Sequence, residues 1–410
     1  MITPQSRKEI VLNRWGVVLA IVWVGIVSLT LDPNYDDFER YWQAAVDLQW
    51  FGDPYVTRLD YFYPPLFVYF IQPFALLSHE TGQIIWFIIN AIILASFLIL
   101  CLQTNESRLV YRYWGLIVLV MTVAPPTRVS LQLGQVSILV ALALIAVFLL
   151  ARSNPATAGG ILALISLIRI NPALMGFYYL FRRPRRVVMW AVGIGIALVV
   201  GSLFLYGTGP YESYITNIVQ QNATGEGVYP FTAQHNISIA GFWYRLFTES
   251  PYTIPITHNP TSAQWLTTLT SLIVVAVCIW AAQRGKKHGT IIEEGLRYSV
   301  WLCGMMLLFP TNGYYNLVIL LFPFLWIMWL LERRRNNLAR IWLAVATALV
   351  CIPPGWETFH PAAYQWLHTG WGVFFLTPSF YGTLLYLIIL VWLIAEYSYR
   401  PTYLAEQQSE

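Results

Sequence analysis

Residues 158–206 read AGGILALISLIRINPALMGFYYLFRRPRRVVMWAVGIGIALVVGSLFLY. Two apolar runs, 158–181 and 187–206, flank a short hinge that holds Arg182, Arg183, Arg185 and Arg186. Each run is near the ~20 residues that a helix needs to cross hydrocarbon. Arginines gathered at one junction mark its cytoplasmic side. One run is interrupted: Arg169 lies inside it, and Asn171-Pro172 breaks the helix beside that charge.

Outward from this pair, similar runs fall near 15–31, 64–78, 82–102, 114–126, 134–151, 265–283, 297–309, 316–331, 340–353 and 376–395. They predict an all-α polytopic membrane protein of about 12 transmembrane helices, as one integral domain over 1–410. The first extracytoplasmic loop is 32–63, the second is 207–264, the late spans occupy 265–395 and a cytoplasmic tail follows over 396–410. The basic flank Arg7, Lys8 and Arg14 precedes the first run without a small-x-small cleavage site, so that run is expected to stay as a span. Composition agrees, since 57% of the 410 residues are hydrophobic and 11% charged, against about 25% charged in soluble domains. A net charge of +4, with the basic residues at span ends, gives no basis for nucleic-acid binding. Cys101, Cys278, Cys303 and Cys351 lie in or beside apolar runs without metal-ligand spacing, and read as small apolar residues.

Counted straight through, twelve spans place Arg182, Arg284 and Arg333 inside, as the charge rule requires. The same count leaves Arg108, Arg112 and Arg152 outside, against it. A re-entrant hairpin at 64–78 would reverse that stretch.

The first loop, NYDDFERYWQAAVDLQWFGDPYVTRLDYFYPP over 34–65, is acidic and aromatic. Carboxylates are costly to bury beside hydrocarbon, so this loop sits in water or lines a polar cavity. Asp37, Tyr41 and Ala44/Ala45 share one face at helical spacing, which would turn the Asp37 carboxylate toward the protein as a general base. The simpler alternative makes Asp36 and Asp37 helix caps. Gly52-Asp53-Pro54-Tyr55 reads as a turn, and Tyr61-Phe62-Tyr63-Pro64-Pro65 as a rigid return to the membrane. Arg169 reads either as a phosphate-contacting cation or as an internal ion-pair partner. In the second loop, Gln234-His235-Asn236-Ile237-Ser238 precedes Arg245, the loop's only Arg or Lys, a candidate anion ligand. His235 reads as a base, a donor or a bystander. Pro310-Thr311-Asn312-Gly313-Tyr314-Tyr315-Asn316 is a broken, polar link that would line a sugar site or simply turn the chain.

Together these pieces resemble glycosyltransferase family 87, a GT-C-fold group. The resemblance rests on Asp37-Phe38-x-x-Tyr41-x-x-Ala44-Ala45, Gly52-x-Pro54-Tyr55, Tyr63-Pro64-Pro65-Leu66, Gly134-Gln135-x-Ser137, Ala158-Gly159 with Arg169-x-x-Pro172, and Asn236-x-Ser238 with Arg245. It implies a GT-C-like bundle that moves a hexose, with mannose as the family's sugar, from a polyprenyl-phosphate donor to a lipid or glycan hydroxyl. The site would lie on the extracytoplasmic face of the cell membrane. The family's carboxylate maps onto Asp37, and its cation after a broken span, often Lys, onto Arg169. The lining would comprise Tyr41, Tyr55, Tyr63, Gln135, Asn236, Tyr314 and Tyr315, with Arg245 as a second phosphate ligand and Asp36 and His235 as auxiliaries. The late motif departs from the family, for it lacks the usual Trp and His, and Tyr314 or Tyr315 would have to substitute.

A phosphate is already a competent leaving group, so the reaction needs one base and cations for the departing charge. A single base with backside attack would invert the anomeric carbon. No cofactor or resident metal is expected, although Asp36 beside Asp37 keeps a divalent ion open. Competing readings are a flippase of lipid-linked sugars, which needs a continuous polar path, and a polysaccharide polymerase or ligase.

Overall fold

The computed structural model describes residues 5–31, 37–57, 60–220, 230–284, 290–333 and 336–399. Asp36, with Asp32, lies outside them. Among the described residues the protein is helical, and only two isolated bridges, Asn236 with Gly313 and Ile254 with Thr369, have β character. The α-helices of seven or more residues among those described are α1 (Arg7–Ser28), α2 (Asp37–Phe51), α3 (Pro65–Ile71), α4 (His79–Gln103), α5 (Arg108–Val123), α6 (Pro125–Gln132), α7 (Ser137–Leu150), α8 (Pro155–Ile168) and α9 (Leu174–Phe181). They continue with α10 (Arg186–Tyr206), α11 (Ile239–Phe247), α12 (Pro260–Gln283), α13 (Ile291–Leu308), α14 (Leu321–Arg333), α15 (Asn337–Val350), α16 (Pro361–Leu367) and α17 (Pro378–Tyr399).

Six described helical units are long and apolar enough to cross a membrane: α1, α4, α10, α12, the unit 314–333 that ends in α14, and α17. The pair α5 and α6, bent by 57°, makes up to seven. The expected count of twelve exceeds what length and composition support, because several apolar helices are shorter. Proline accounts for much of this. Pro64, Pro65 and Pro73 confine the expected span 64–78 to α3 and a tight turn over Gln72–Leu76 that packs on α2. The run 158–181 divides at Arg169, whose backbone is extended (φ −146°, ψ 129°), into α8 and α9.

Ion pairs fix which turns share an end of the bundle. Glu294, near the start of α13, takes Arg182 from the end of α9, Arg152 from the end of α7 at 3.4 Å and Arg297 at 3.2 Å. Arg152 and Arg182 therefore lie together, rather than on the opposite sides that the straight count gives them. The turn after α4 joins the same end, since Ser107 donates to Glu332 at 2.5 Å and Asn105 to the Leu325 carbonyl at 2.9 Å. Gly295 packs against Trp326, which aligns the start of α13 with α14. The N-terminus reaches this region through Glu9 and Arg112 at 2.5 Å. Ser137 and Arg169, at the far ends of α7 and α8, mark the opposite end.

Candidate functional site

α2 is amphipathic as its spacing predicts. Phe38, Tyr41, Ala44, Ala45 and Leu48 are buried, while Trp50 and Phe51 are exposed. Its first residue is pinned to the end of α6, for the Asp37 N–H donates to the Leu133 carbonyl at 2.8 Å. Phe38 stacks on Trp86, whose indole donates to the Gly134 carbonyl at 2.6 Å. Gly134 has φ +64°, a left-handed conformation, and a Cβ there would approach Phe38 and Trp86 at 3.2 Å. This turn delivers Gln135 and Ser137 inward.

The carboxylates of the first loop divide by partner. Asp37 is buried and paired with Arg40, which also holds Asp60 at 2.7 Å. Asp47 is wholly buried and accepts from Gln43 and from both the backbone and the hydroxyl of Thr57, so it ties the helix to the loop. Asp53 accepts from the Tyr55 N–H at 3.0 Å and from Ser213. The turn is thus closed, and it is joined to the second loop.

A cavity of about 320 Å³ opens where the two loops meet. Its lining includes Tyr63, Arg169, Tyr214, His235, Asn236 and Tyr315. The volume lies in the roughly 300–1,000 Å³ range of small-molecule sites. Arg169 enters it from the break after α8. Its guanidinium donates to Ser137 Oγ at 3.3 Å and stands 5.9 Å from the Tyr63 ring and 5.5 Å from the Tyr315 ring. The described residues offer it neutral oxygen and ring faces, with no carboxylate. Such a cation is open to an incoming anion.

Polar contacts connect the remaining motifs to this point. The Tyr41 and Tyr63 hydroxyls are 2.8 Å apart, and the Tyr63 hydroxyl donates to Gln135 Oε1 at 3.2 Å. Burial and the neighbouring Tyr63 push the Tyr41 phenol well above its usual range, so it stays protonated as a donor. Ser137 donates to Asn316, Asn316 to Asn312, and the Asn312 N–H to Asn236 Oδ1, all within 3.0 Å. Asn236 and Ser238 both donate to the Pro310 carbonyl, at 2.8 and 2.7 Å. The segments 234–238 and 310–316, distant in sequence, therefore form one wall.

His235 lines this wall, and burial lowers its imidazole to about 4, with Arg245 and then Arg40 adding to the effect. The ring is neutral at physiological pH. Among the described residues that line the cavity, neither Asp37 nor Arg40 appears.

Five expected lining or ligand residues stand behind the surface, with Tyr41 and Gln135 buried behind Tyr63 and joined to its hydroxyl. Tyr55 is buried and donates to the Tyr63 carbonyl at 2.7 Å, which braces that residue from outside. Tyr314 points away and donates to the Val350 carbonyl at 3.0 Å. Arg245, 1% exposed, donates from Nη1 to the carbonyls of Ala233 and Asn236 at 2.9 Å each, and burial lowers its guanidinium to about 10. It holds the wall in shape and does not line the cavity. Arg40 was not singled out from sequence, although its i+3 spacing from Asp37 is the usual mark of a helical ion pair. Among the described residues, no three His, Cys, Asp or Glu side chains gather as a metal site would need.

The family model for glycosyltransferase family 87 matches residues 61–310. The chain belongs to glycosyltransferase family 87. It is therefore a glycosyltransferase with membrane-spanning helices. The match takes in Tyr63, Gln135, Ser137, Arg169, Asn236 and Arg245. Asp37 and the turn at 52–55 lie before it, and Tyr314 and Tyr315 after it. No curated protein and no solved structure matches the chain.

Proposed function

We propose that this glycosyltransferase moves a hexose from a polyprenyl-phosphate donor to a lipid or glycan hydroxyl, at a site on the extracytoplasmic face of the cell membrane. The observation that carries the reading is Arg169. A permanent cation emerges from a broken membrane helix into an aromatic-walled cavity, where neutral oxygen and ring faces surround it. That is where the phosphate of a lipid carrier would arrive, with its chain in the bilayer and its sugar in the cavity.

In the reaction, the acceptor oxygen bonds to the anomeric carbon while the bond from that carbon to the phosphate oxygen breaks. The leaving electron pair stays on the phosphate beside Arg169. The hydroxyl proton passes to the Asp37 carboxylate, which Arg40 orients at the head of α2. Tyr63, neutral His235 and Asn236 would hydrogen-bond the sugar, and Tyr315 stands in for the family's late aromatic and His pair. Backside attack with one base inverts the anomeric centre. The mannose assignment rests on the family alone.

Sidedness follows from charge. The end that collects Arg152, Arg182 and Arg297 would face the cytoplasm, and the cavity end would face outward. With Pro65–Leu76 re-entrant and α8–α9 as a hairpin that returns to the side it left, both ends of the described chain would lie inside. The test is incubation of membranes with radiolabelled polyprenyl-phosphate hexoses and identification of the labelled product. Asp37→Asn and Arg169→Gln should each insert normally and abolish transfer. Retained transfer in the Asp37 variant would remove the base assignment.

A further inference from the structure

The loop after α15, which no part of the proposed chemistry uses, is fastened to the cavity wall through one histidine. His368 is 7% exposed, and its ring stacks on Tyr364 at 4.1 Å. Its Nδ1 is 2.6 Å from the Tyr252 carbonyl, and a carbonyl can only accept, so Nδ1 carries a proton. Its Nε2 faces two partners of opposite character. Glu357 Oε1 is 3.2 Å away and the Gln234 amide nitrogen 3.3 Å away. With Nδ1 already protonated, the neutral ring leaves a lone pair on Nε2, which accepts from the Gln234 amide. The imidazolium has N–H on both sides. It donates to Glu357 and presents a donor to the donor of Gln234, which must turn or leave. Glu357 is 2% exposed, and its second oxygen has no hydrogen-bond partner among the described residues, so the imidazolium is the group that compensates it.

We propose that His368 is a positioning residue for the cavity wall: by gaining or losing one proton it exchanges Gln234 for Glu357 and so releases or holds the segment 233–236. The consequence reaches the site because Gln234 is followed by His235 and Asn236, which line the cavity. The clasp is also hydrogen-bonded to the second loop, for the Ile254 N–H donates to the His368 carbonyl and the Gly370 N–H to the Ile254 carbonyl, both at 2.9 Å.

The groups that face His368 are Glu357 from the 356–359 turn, Tyr364 from α16, the Tyr252 carbonyl from the 250–254 segment and the Gln234 amide from the wall. Within the wall stands His235, and behind it Arg245. Burial lowers His235 to about 4 and Arg245 to about 10, so neither changes charge between about pH 5 and pH 8.

The test reads the backbone and not the reaction, so its outcome is independent of the donor proposed above. Hydrogen–deuterium exchange of residues 233–236 is followed in the purified full-length protein in nanodiscs, between about pH 5 and pH 8. The data are corrected for the intrinsic pH dependence of exchange. Protection should rise several-fold as the pH rises and Gln234 is taken up. In His368→Gln the rise should vanish. In Gln234→Leu protection should stay at the acid value of the wild type throughout. If His368→Gln fails to melt cooperatively, Gln234→Leu decides alone. A flat wild-type profile, or an undiminished rise in Gln234→Leu, overturns the proposal.

Discussion

Arg169 and Arg245 look alike in the sequence, each a lone cation in a neutral context, and their surroundings assign them different work. Arg169 has cavity on one side; Arg245 gives Nη1 to two backbone carbonyls, while its buried Nη2 has no partner among the described residues. Arg245→Met removes the donor from the Asn236 carbonyl, and an orphaned buried acceptor costs about 1–3 kcal/mol. Its thermal midpoint in detergent should fall, whereas Arg169→Gln should leave the midpoint within error. His235 supplies a pH signature. Its folded value of about 4 lies below the 6.5 of the free ring, so the unfolded chain binds the extra proton first. Stability should therefore be full above about pH 6.5 and decline as the pH falls toward 4. His235→Gln should flatten that acid limb, measured as midpoint against pH.

Elements were legible where period and punctuation agree. The face of α2, the break at Asn171-Pro172 and the turn at 52–55 are all written locally, and all appear. The convergence of 135–137, 169, 234–238 and 310–316 is not local: hydrogen bonds across more than 70 positions make the wall, and no periodicity encodes them. The inward side of Tyr315 and the outward side of Tyr314 likewise depend on the tight turn over Tyr314–Leu320. The motif Ala158-Gly159 shows how a family signature can be packing. A Cβ on Gly159 would sit 2.5 Å from Trp190 Cβ and 2.6 Å from the Val187 carbonyl, so glycine sets the distance between α8 and α10. Overpacking of this kind typically costs about 1–3 kcal/mol. Gly159→Ala should lower the thermal midpoint and, by shifting α8, impair transfer through Arg169; a variant with unchanged stability would show that the helices separate freely.

At the scale of the whole molecule, the bundle has one arginine-rich end and one end that holds the cavity, and the residues that meet bear on the disputed stretch. The straight count sends 64–78 across the membrane, which puts residue 80 inside and residue 153 outside. Ion pairing of Arg152 and Arg182 to the same Glu294 argues for the reverse, with Pro65–Leu76 folded back beside α2. Glu80, Ser153 and Thr358 are exposed, and Cys101, Cys278 and Cys303 are buried. Single cysteines at Glu80, Ser153 and Thr358, introduced into a Cys351→Ser background, can therefore be probed with a membrane-impermeant maleimide on intact cells. Glu80→Cys and Thr358→Cys should label from outside, and Ser153→Cys only after the membrane is opened. The opposite labels at 80 and 153 would restore the crossing at 64–78, contradict the shared end that Glu294 defines, and move the first-loop carboxylates away from the cation at Arg169.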